Sequence, residues 1–534
     1  MERAVSRAFA GLVAGLAVFL AFLLMRYFLP PHIPRFRVET FFLWFLAAGG
    51  LAIAWRPNLM TTPGSDPIHP PALERWHYAM LSGCFAAIVF LQYGAALRVG
   101  WLSDDFVLAE WAARREWIHA ASTGFVRPIV PMVWAFLSFL PFGWPAALHA
   151  ANLLLHALNG VLIAAIAARL GVDRQEALAA GVIFVTLSAM TEALVWVSGM
   201  QDVLMATLAL VAVLATLGIS AGSAWRQRGV SLVMAPVFLP VLAMASAALA
   251  LGVKETAVVI PALACAAAWA SPEGVGKGDR RRTLIAITVV AVLYAIVRLI
   301  SGVSSTHGPG LSRYFFKQLT VDPFATLGEP WSAAWLQGHP LLALTRAAII
   351  VGLLAAAGLT WRRREMRLRR AVASAAWVLL GVLPVFGLFH VSESLEGSRY
   401  LYLPAAGFAL LLAALMGDLI RRVPSRTVAS GLMAALVLAF AVPSLAASRE
   451  ELARWTEAAR LRDEILTAYV RVMPSASCGS IVAEGLVDSV DGAYVLRNGF
   501  RQALDEMGAR VDAAQVSPAC RIDWTDHLIV RQAP

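Results

Sequence analysis

Residues 400–419 read Tyr-Leu-Tyr-Leu-Pro-Ala-Ala-Gly-Phe-Ala-Leu-Leu-Leu-Ala-Ala-Leu-Met-Gly-Asp-Leu, with Asp418 the one charged side chain. Arg399 precedes the run, and Arg421, Arg422 and Arg426 follow it. A bilayer core about 30 Å thick takes about 20 apolar residues of helix. Inside it every backbone N–H and C=O needs an internal partner, which a helix supplies. The run therefore reads as a membrane-spanning helix. By the same criterion the chain holds about thirteen such runs. They lie near 8–29, 39–55, 78–99, 147–169, 176–191, 200–220, 230–251, 256–270, 283–301, 341–360, 371–390, 400–419 and 427–447.

Composition agrees. Of 534 residues, 59% are hydrophobic and 15% charged, and the mean hydropathy is +0.69. A soluble domain carries about 25% charged residues. The predicted fold class is an all-α polytopic membrane protein with about thirteen transmembrane helices and a small C-terminal α/β extracytoplasmic domain. The net charge of +10 does not point to nucleic acid, because no soluble basic face carries it. The Met-Glu-Arg start leads into an apolar run long for a signal peptide and without a clear cleavage site, so it reads as a retained span.

Basic residues in short loops set orientation. With Arg3 and Arg7 inside, Arg56 and Arg75, Arg169 and Arg174, Arg226 and Arg228, and Lys277 with Arg280–Arg282 fall on the same side. So do the clusters at 362–370 and 421–426. The apolar stretch 128–142 is short and edged by Pro128, Pro131 and Pro141. Counting it as a span would invert all that follows, so it reads as an interfacial or re-entrant helix. Three parts result. Residues 1–77 are two N-terminal helices and a cytoplasmic loop. Residues 78–447 are the core, with outer loops 100–146 and 302–340. Residues 448–534 are a small outer domain, which Cys478 and Cys520 can bridge in an oxidising compartment. The alanine-, arginine- and leucine-rich composition fits a bacterial inner membrane, N-terminus cytoplasmic and tail periplasmic.

Five groups of polar residues stand at outer helix ends, where ionisable groups are costly and mark function. Asp104 and Asp105 follow a span; they suit a general base, oxygen ligands for a metal or a solvated helix start. Glu192 and Asp202 flank Trp196, and equally suit the end of one helix and the start of the next. Lys254 and Glu255 can neutralise each other, or the lysine can meet a lipid phosphate. Arg399, beside Tyr400, suits phosphate recognition or snorkelling. His149, Asn152 and His156 share one helix face and favour hydrogen bonds to neighbouring helices over metal binding.

These segments resemble the GT-C superfamily of membrane glycosyltransferases, above all its protein O-mannosyltransferase branch and the tetratricopeptide-repeat transmembrane O-mannosyltransferases. Leu102-Ser-Asp-Asp-Phe106 is similar to the acidic motif of the first outer loop. Arg127-Pro128 and the run from His149 to Asn159 are similar to the region after it. Glu192-Ala-Leu-Val-Trp-Val-Ser-Gly-Met-Gln-Asp202, Lys254-Glu255 and Ser398-Arg-Tyr-Leu-Tyr-Leu-Pro404 complete an ordered set across 78–447. Met200 stands where the family often has Arg, Ser398 where it often has Glu, and no tetratricopeptide repeats follow. The resemblance implies a sugar donor on a polyprenyl phosphate and an inverting displacement by an acceptor hydroxyl. It implies Asp104 as base, with Asp105 in support or as the alternative base. Glu192 and Asp202 would orient the acceptor or the site. Arg127, Lys254 and Arg399 would stabilise phosphate, with Glu255, His149, His156 and Tyr400 shaping the site. A divalent metal is compatible but not required. The acceptor can be protein, lipid or glycan. Two other classes suit many spans with scattered charges: a transporter or flippase, and a surface-polysaccharide ligase or polymerase. His307, Arg313, Lys317 and His339 in the 302–340 loop keep the latter open.

Overall fold

The computed structural model describes residues 75–117, 126–218, 235–272, 277–300, 322–328, 366–385, 395–472, 480–507 and 519–532, short gaps aside. The predicted spans at 8–29, 39–55 and 341–360 lie outside the described residues, as do most of loop 302–340 and the Cys478–Cys520 pairing.

Long helices dominate. The first five are α1 (Arg75–Tyr93), α2 (Asp104–Ala113), α3 (Ile129–Leu137), α4 (Trp144–Arg169) and α5 (Arg174–Thr186). After them come α6 (Thr191–Val195), α7 (Met200–Leu217), α8 (Ala235–Val253), α9 (Ile260–Ala270) and α10 (Lys277–Ile300). The series ends with α11 (Asp322–Leu327), α12 (Met366–Val382), α13 (Tyr402–Ile420) and α14 (Arg426–Val472). Among the described residues five helices are long and apolar enough to cross a membrane, and a sixth span forms if the bent pair α5–α6 counts as one. The chain is a polytopic integral membrane protein.

Local chemistry explains the breaks. Asp173 caps α5 by accepting from the Glu176 backbone N–H at 3.0 Å, a carboxylate at the positive end of the helix dipole. Between α5 and α6 a short 3-10 turn at Ser188–Met190 bends the path by 53°. Helix α3, with 9 residues, is about 13 Å long at 1.5 Å per residue, too short to span, as predicted for 128–142. Its Phe136, and Phe139 just beyond it, are 72% and 81% exposed. With Leu91 and Ile300 at 79% and 82%, they mark surface suited to lipid rather than water.

The predicted boundary near 447 falls inside one continuous helix. Helix α14 runs for 47 residues through Pro443, joining the predicted span 427–447 to the charged segment 449–472. Beyond it, β1 (Ser480–Glu484) pairs in parallel with β4 (Ala519–Trp524), and β4 pairs antiparallel with β5 (Leu528–Gln532). Strands β2 (Ser489–Val490) and β3 (Ala493–Tyr494) form a hairpin. Its turn is Asp491-Gly492, both at positive φ, the favoured chemistry for a two-residue turn. Helix α15 (Phe500–Glu506) follows.

Candidate functional site

The acidic motif is built on a constrained turn. Ser103, the residue before α2, has φ +50° and ψ −118°, a sparsely populated conformation for a side chain with a Cβ. Neighbours from distant sequence hold it. The Ser103 N–H donates to the Val495 carbonyl at 3.0 Å, and its hydroxyl accepts from the Asn498 N–H at 3.2 Å. Arg462 of α14 donates to the carbonyls of Val99, at 3.0 Å, and of Trp101. The Trp101 ring stacks on Trp134 at 5.4 Å and meets Trp144 edge-on.

The two aspartates that follow are successive residues of α2, about 100° apart around its axis, and they meet different surroundings. Asp105 is fully buried. Its Oδ1 accepts from the Ser198 N–H at 2.7 Å and the Ser198 hydroxyl at 2.5 Å, and its Oδ2 accepts from the Leu102 N–H at 2.8 Å. Burial pushes its carboxyl up to about 7, against the lowering effect of those hydrogen bonds. Helix α2 is not among the spans. Asp104 is half-buried, and its Oδ1 accepts from the Asn498 amide at 2.6 Å. Asp105 thus ties α2 to the turn after α6, while Asp104 keeps an open side.

Three ion pairs lie beyond that tie. The bent segment α6 carries Glu192, which pairs with Arg399 and accepts from the Arg399 backbone N–H at 3.0 Å. At the start of α7, Asp202 meets Lys254 at 2.5 Å, with side chains only 6% and 5% exposed. Arg127 grips Glu255 with a two-pronged fork at 3.0 and 2.5 Å and donates its remaining arm to Gln201 at 2.6 Å. Sequence adjacency left two readings of Lys254 and Glu255, mutual neutralisation or a lysine free to meet a lipid phosphate. The extended backbone at Lys254 (φ −156°, ψ 134°) sends them to different partners. Tyr400 links two pairs: Lys254 lies 4.9 Å and Arg399 4.7 Å from its ring, within cation–π range.

The helix-face trio has partners too. His149 Nε2 lies 3.3 Å from the Gly100 carbonyl, Asn152 donates to the carbonyls of Ala193 at 2.8 Å and Leu194 at 3.1 Å, and His156 Nδ1 lies 2.7 Å from the Tyr402 hydroxyl. All three are fully buried. They hold the α6 turn and α13 against α4. Among the described residues no group of three His, Cys, Asp or Glu side chains is placed to hold a metal ion.

Sequence reasoning missed the contribution of the C-terminal domain. Tyr494 on β3 reaches between Glu192 and Arg399. Its hydroxyl donates to Glu192 Oε1 at 3.0 Å and accepts from Arg399 Nη1 at 2.8 Å. Its ring meets Trp196 at 4.7 Å and Trp455 at 5.8 Å. The Asp491-Gly492 turn is legible as a hairpin, but nothing in it says which helices the hairpin touches. Ser198 and Trp196 stood within the quoted 192–202 segment. Trp196 donates to the Leu102 carbonyl at 3.0 Å, a contact between motifs 94 residues apart in the chain.

No protein-family model and no curated protein matches the chain. Solved structures do. One is the oligosaccharyltransferase AglB from Archaeoglobus fulgidus, in complex with an inhibitory peptide and a dolichol-phosphate: TM-score 0.40, 11% identity, covering 74% of this chain and 59% of that one. The chain therefore spans less than two thirds of that enzyme's length. Another is ArnT from Cupriavidus metallidurans bound to undecaprenyl phosphate: TM-score 0.43, 14% identity, covering 83% of this chain and 93% of that one.

Proposed function

We propose that the chain is an integral-membrane glycosyltransferase of the GT-C type, moving a sugar from a polyprenyl phosphate to an acceptor hydroxyl. The observation that carries this reading is convergence. Residues of four motifs, from Arg127 to Tyr400, meet in one polar chain of carboxylates and partly buried cations at helix ends, and the acidic turn that carries the half-open Asp104 is tied to it through Trp196 and Ser198. The polar chain runs from Glu255 through Arg127, Gln201, Asp202, Lys254, Tyr400 and Arg399 to Glu192.

Asp104 serves as the base, because its carboxylate is near the surface while that of Asp105 is fully engaged. It takes the proton from the acceptor hydroxyl as the oxygen attacks the anomeric carbon. The bond to the lipid phosphate breaks and the configuration inverts. Charge grows on the departing phosphate, where fixed cations stabilise it most. Arg399, Lys254 and Arg127 fill that role. The Lys254 ammonium has three donors and, among the described residues, gives one hydrogen bond, to Asp202, so it can serve a phosphate without losing its partner. Asp105, Ser198 and Trp196 set the position of the base, and Glu192 with Asp202 orient the cations and the acceptor. An O-mannosyltransferase-like choice of sugar, and a bacterial inner membrane with the site on the periplasmic face, complete the proposal.

The test is release or transfer of sugar from radiolabelled polyprenyl-phosphate donors by the purified chain and by Asp104→Asn. A general base contributes about 10²–10⁴-fold, so turnover falls by about that factor while the variant stays folded. Equal turnover by a folded variant moves the base to another residue.

A further inference from the structure

The far end of α13 carries a second cluster of charges that the transfer reaction does not use. Arg421 follows the last turn of that helix. It pairs with Glu176 of α5 at 2.5 Å and with Asp173 at 3.4 Å. Arg367 of α12 pairs with Asp418 at 3.2 Å. Glu176 is 2% exposed and lies over Gly417, where a Cβ would stand 1.9 Å from its Oε1. Glu176, Arg367, Asp418, Arg421 and Arg370 line one pocket between α5, α12 and α13.

Arg370 differs from its neighbours. It makes no hydrogen bond or ion pair with any described residue, and its Nε is buried without an acceptor. Its guanidinium packs beside Gly171, where a Cβ would stand 2.8 Å from Nη2. Glu176, Asp173 and Asp418 are shared between Arg421 and Arg367 within ion-pair distance, and none of them comes that close to Arg370. Buried donors without acceptors are rare in folded proteins and ask for a water or an ion. A cation taken from water asks for an anion.

The depth of the pocket identifies the anion's source. Helix α13 has 19 residues, about 28 Å at 1.5 Å per residue, close to the thickness of a bilayer core of about 30 Å. The candidate transfer site stands at its first turn and the pocket at its last. The pocket therefore lies one membrane thickness away, at the headgroup level of the other leaflet. Arg174 over Trp76 at 5.6 Å and Arg369 over Trp269 at 6.0 Å form the arginine and tryptophan belt expected at that level.

We infer that Arg367, Arg370 and Arg421 form a binding site for the phosphodiester headgroup of an anionic membrane lipid, in the leaflet opposite the transfer site. The inference is independent of the proposed reaction.

The experiment is native mass spectrometry and thermal unfolding of the full chain in detergent. Phosphatidylglycerol, diacylglycerol or inorganic phosphate is added to wild type and to Arg370→Gln. One phosphatidylglycerol is expected to stay bound to wild type and raise its unfolding temperature, with no effect from diacylglycerol. Arg370→Gln is expected to weaken that binding about tenfold, or about 1.4 kcal/mol, while keeping the unliganded unfolding temperature. If inorganic phosphate protects wild type as well as the lipid does and Arg370→Gln abolishes this, the phosphate site stands with the free ion as its source. Lipid and phosphate binding unchanged in Arg370→Gln overturns the inference.

Discussion

At the residue scale, two adjacent aspartates occupy different environments because they are successive residues of α2, about 100° apart around its axis, with the strained Ser103 fixing where that helix starts. Asp105 faces three donors in the interior, and Asp104 faces the Asn498 amide near the surface. The pair is plain in the sequence, but the division of labour is not, since adjacency says nothing about which side chain meets water. A consequence follows for pH. A carboxyl ordinarily near 3.8 and raised to about 7 in the fold binds its proton more tightly folded than unfolded. Its stabilising contribution is full below about pH 4 and is lost as pH rises through about 7. Unfolding temperatures of wild type and Asp105→Asn, measured in detergent from pH 4 to 8, are expected to show wild type losing ground to the variant across that interval. A constant difference would remove Asp105 as the cause.

At the element scale, the short hairpin β2–β3 and the start of α15 are what close the site. Gly499 occupies φ +78°, and an added Cβ would stand 2.6 Å from the Ser103 carbonyl oxygen and 3.0 Å from the Phe106 Cβ. Both obstacles are too rigid to yield cheaply, and the left-handed conformation costs a residue with a Cβ about 1–2 kcal/mol on its own. Gly499→Ala is expected to lift the segment from the acidic turn, lower the unfolding temperature and reduce transfer, because Tyr494 and Asn498 leave with it. Thermal unfolding and donor turnover on the same sample check this. Unchanged values in both would show that the tail is not seated on the acidic turn as described. The helices themselves were legible, since runs of apolar residues with capping and breaking residues at their ends predict them. The bend between α5 and α6 was not: it rests on a 3-10 turn inside an unbroken apolar run, which hydropathy cannot see.

At the scale of the whole molecule, the bundle has chemically different ends. One carries paired carboxylates and cations around aromatic rings; the other carries arginines in excess. From the positive-inside rule we propose that the second end faces the cytoplasm. Ala113 and Ser425 are exposed at opposite ends. In a background with the four native cysteines replaced, Ala113→Cys is expected to react with a membrane-impermeant thiol reagent on intact cells, and Ser425→Cys only after lysis. The reverse pattern inverts the topology and moves the transfer site to the other face.

The sequence by itself determined that this chain lives in a bilayer, roughly where its spans lie and which residues carry its charge, because hydropathy and charge are local and additive along the chain. It also supplied the ordered motifs. Only the tertiary structure decided the pairing. Lys254 goes to Asp202 rather than to its neighbour, Arg127 goes to Glu255, and Tyr494 arrives from 302 residues beyond Glu192 to complete that acid's shell. Partners of this kind are chosen by backbone direction at helix ends and by which elements pack together, and neither is encoded in spacing along the chain.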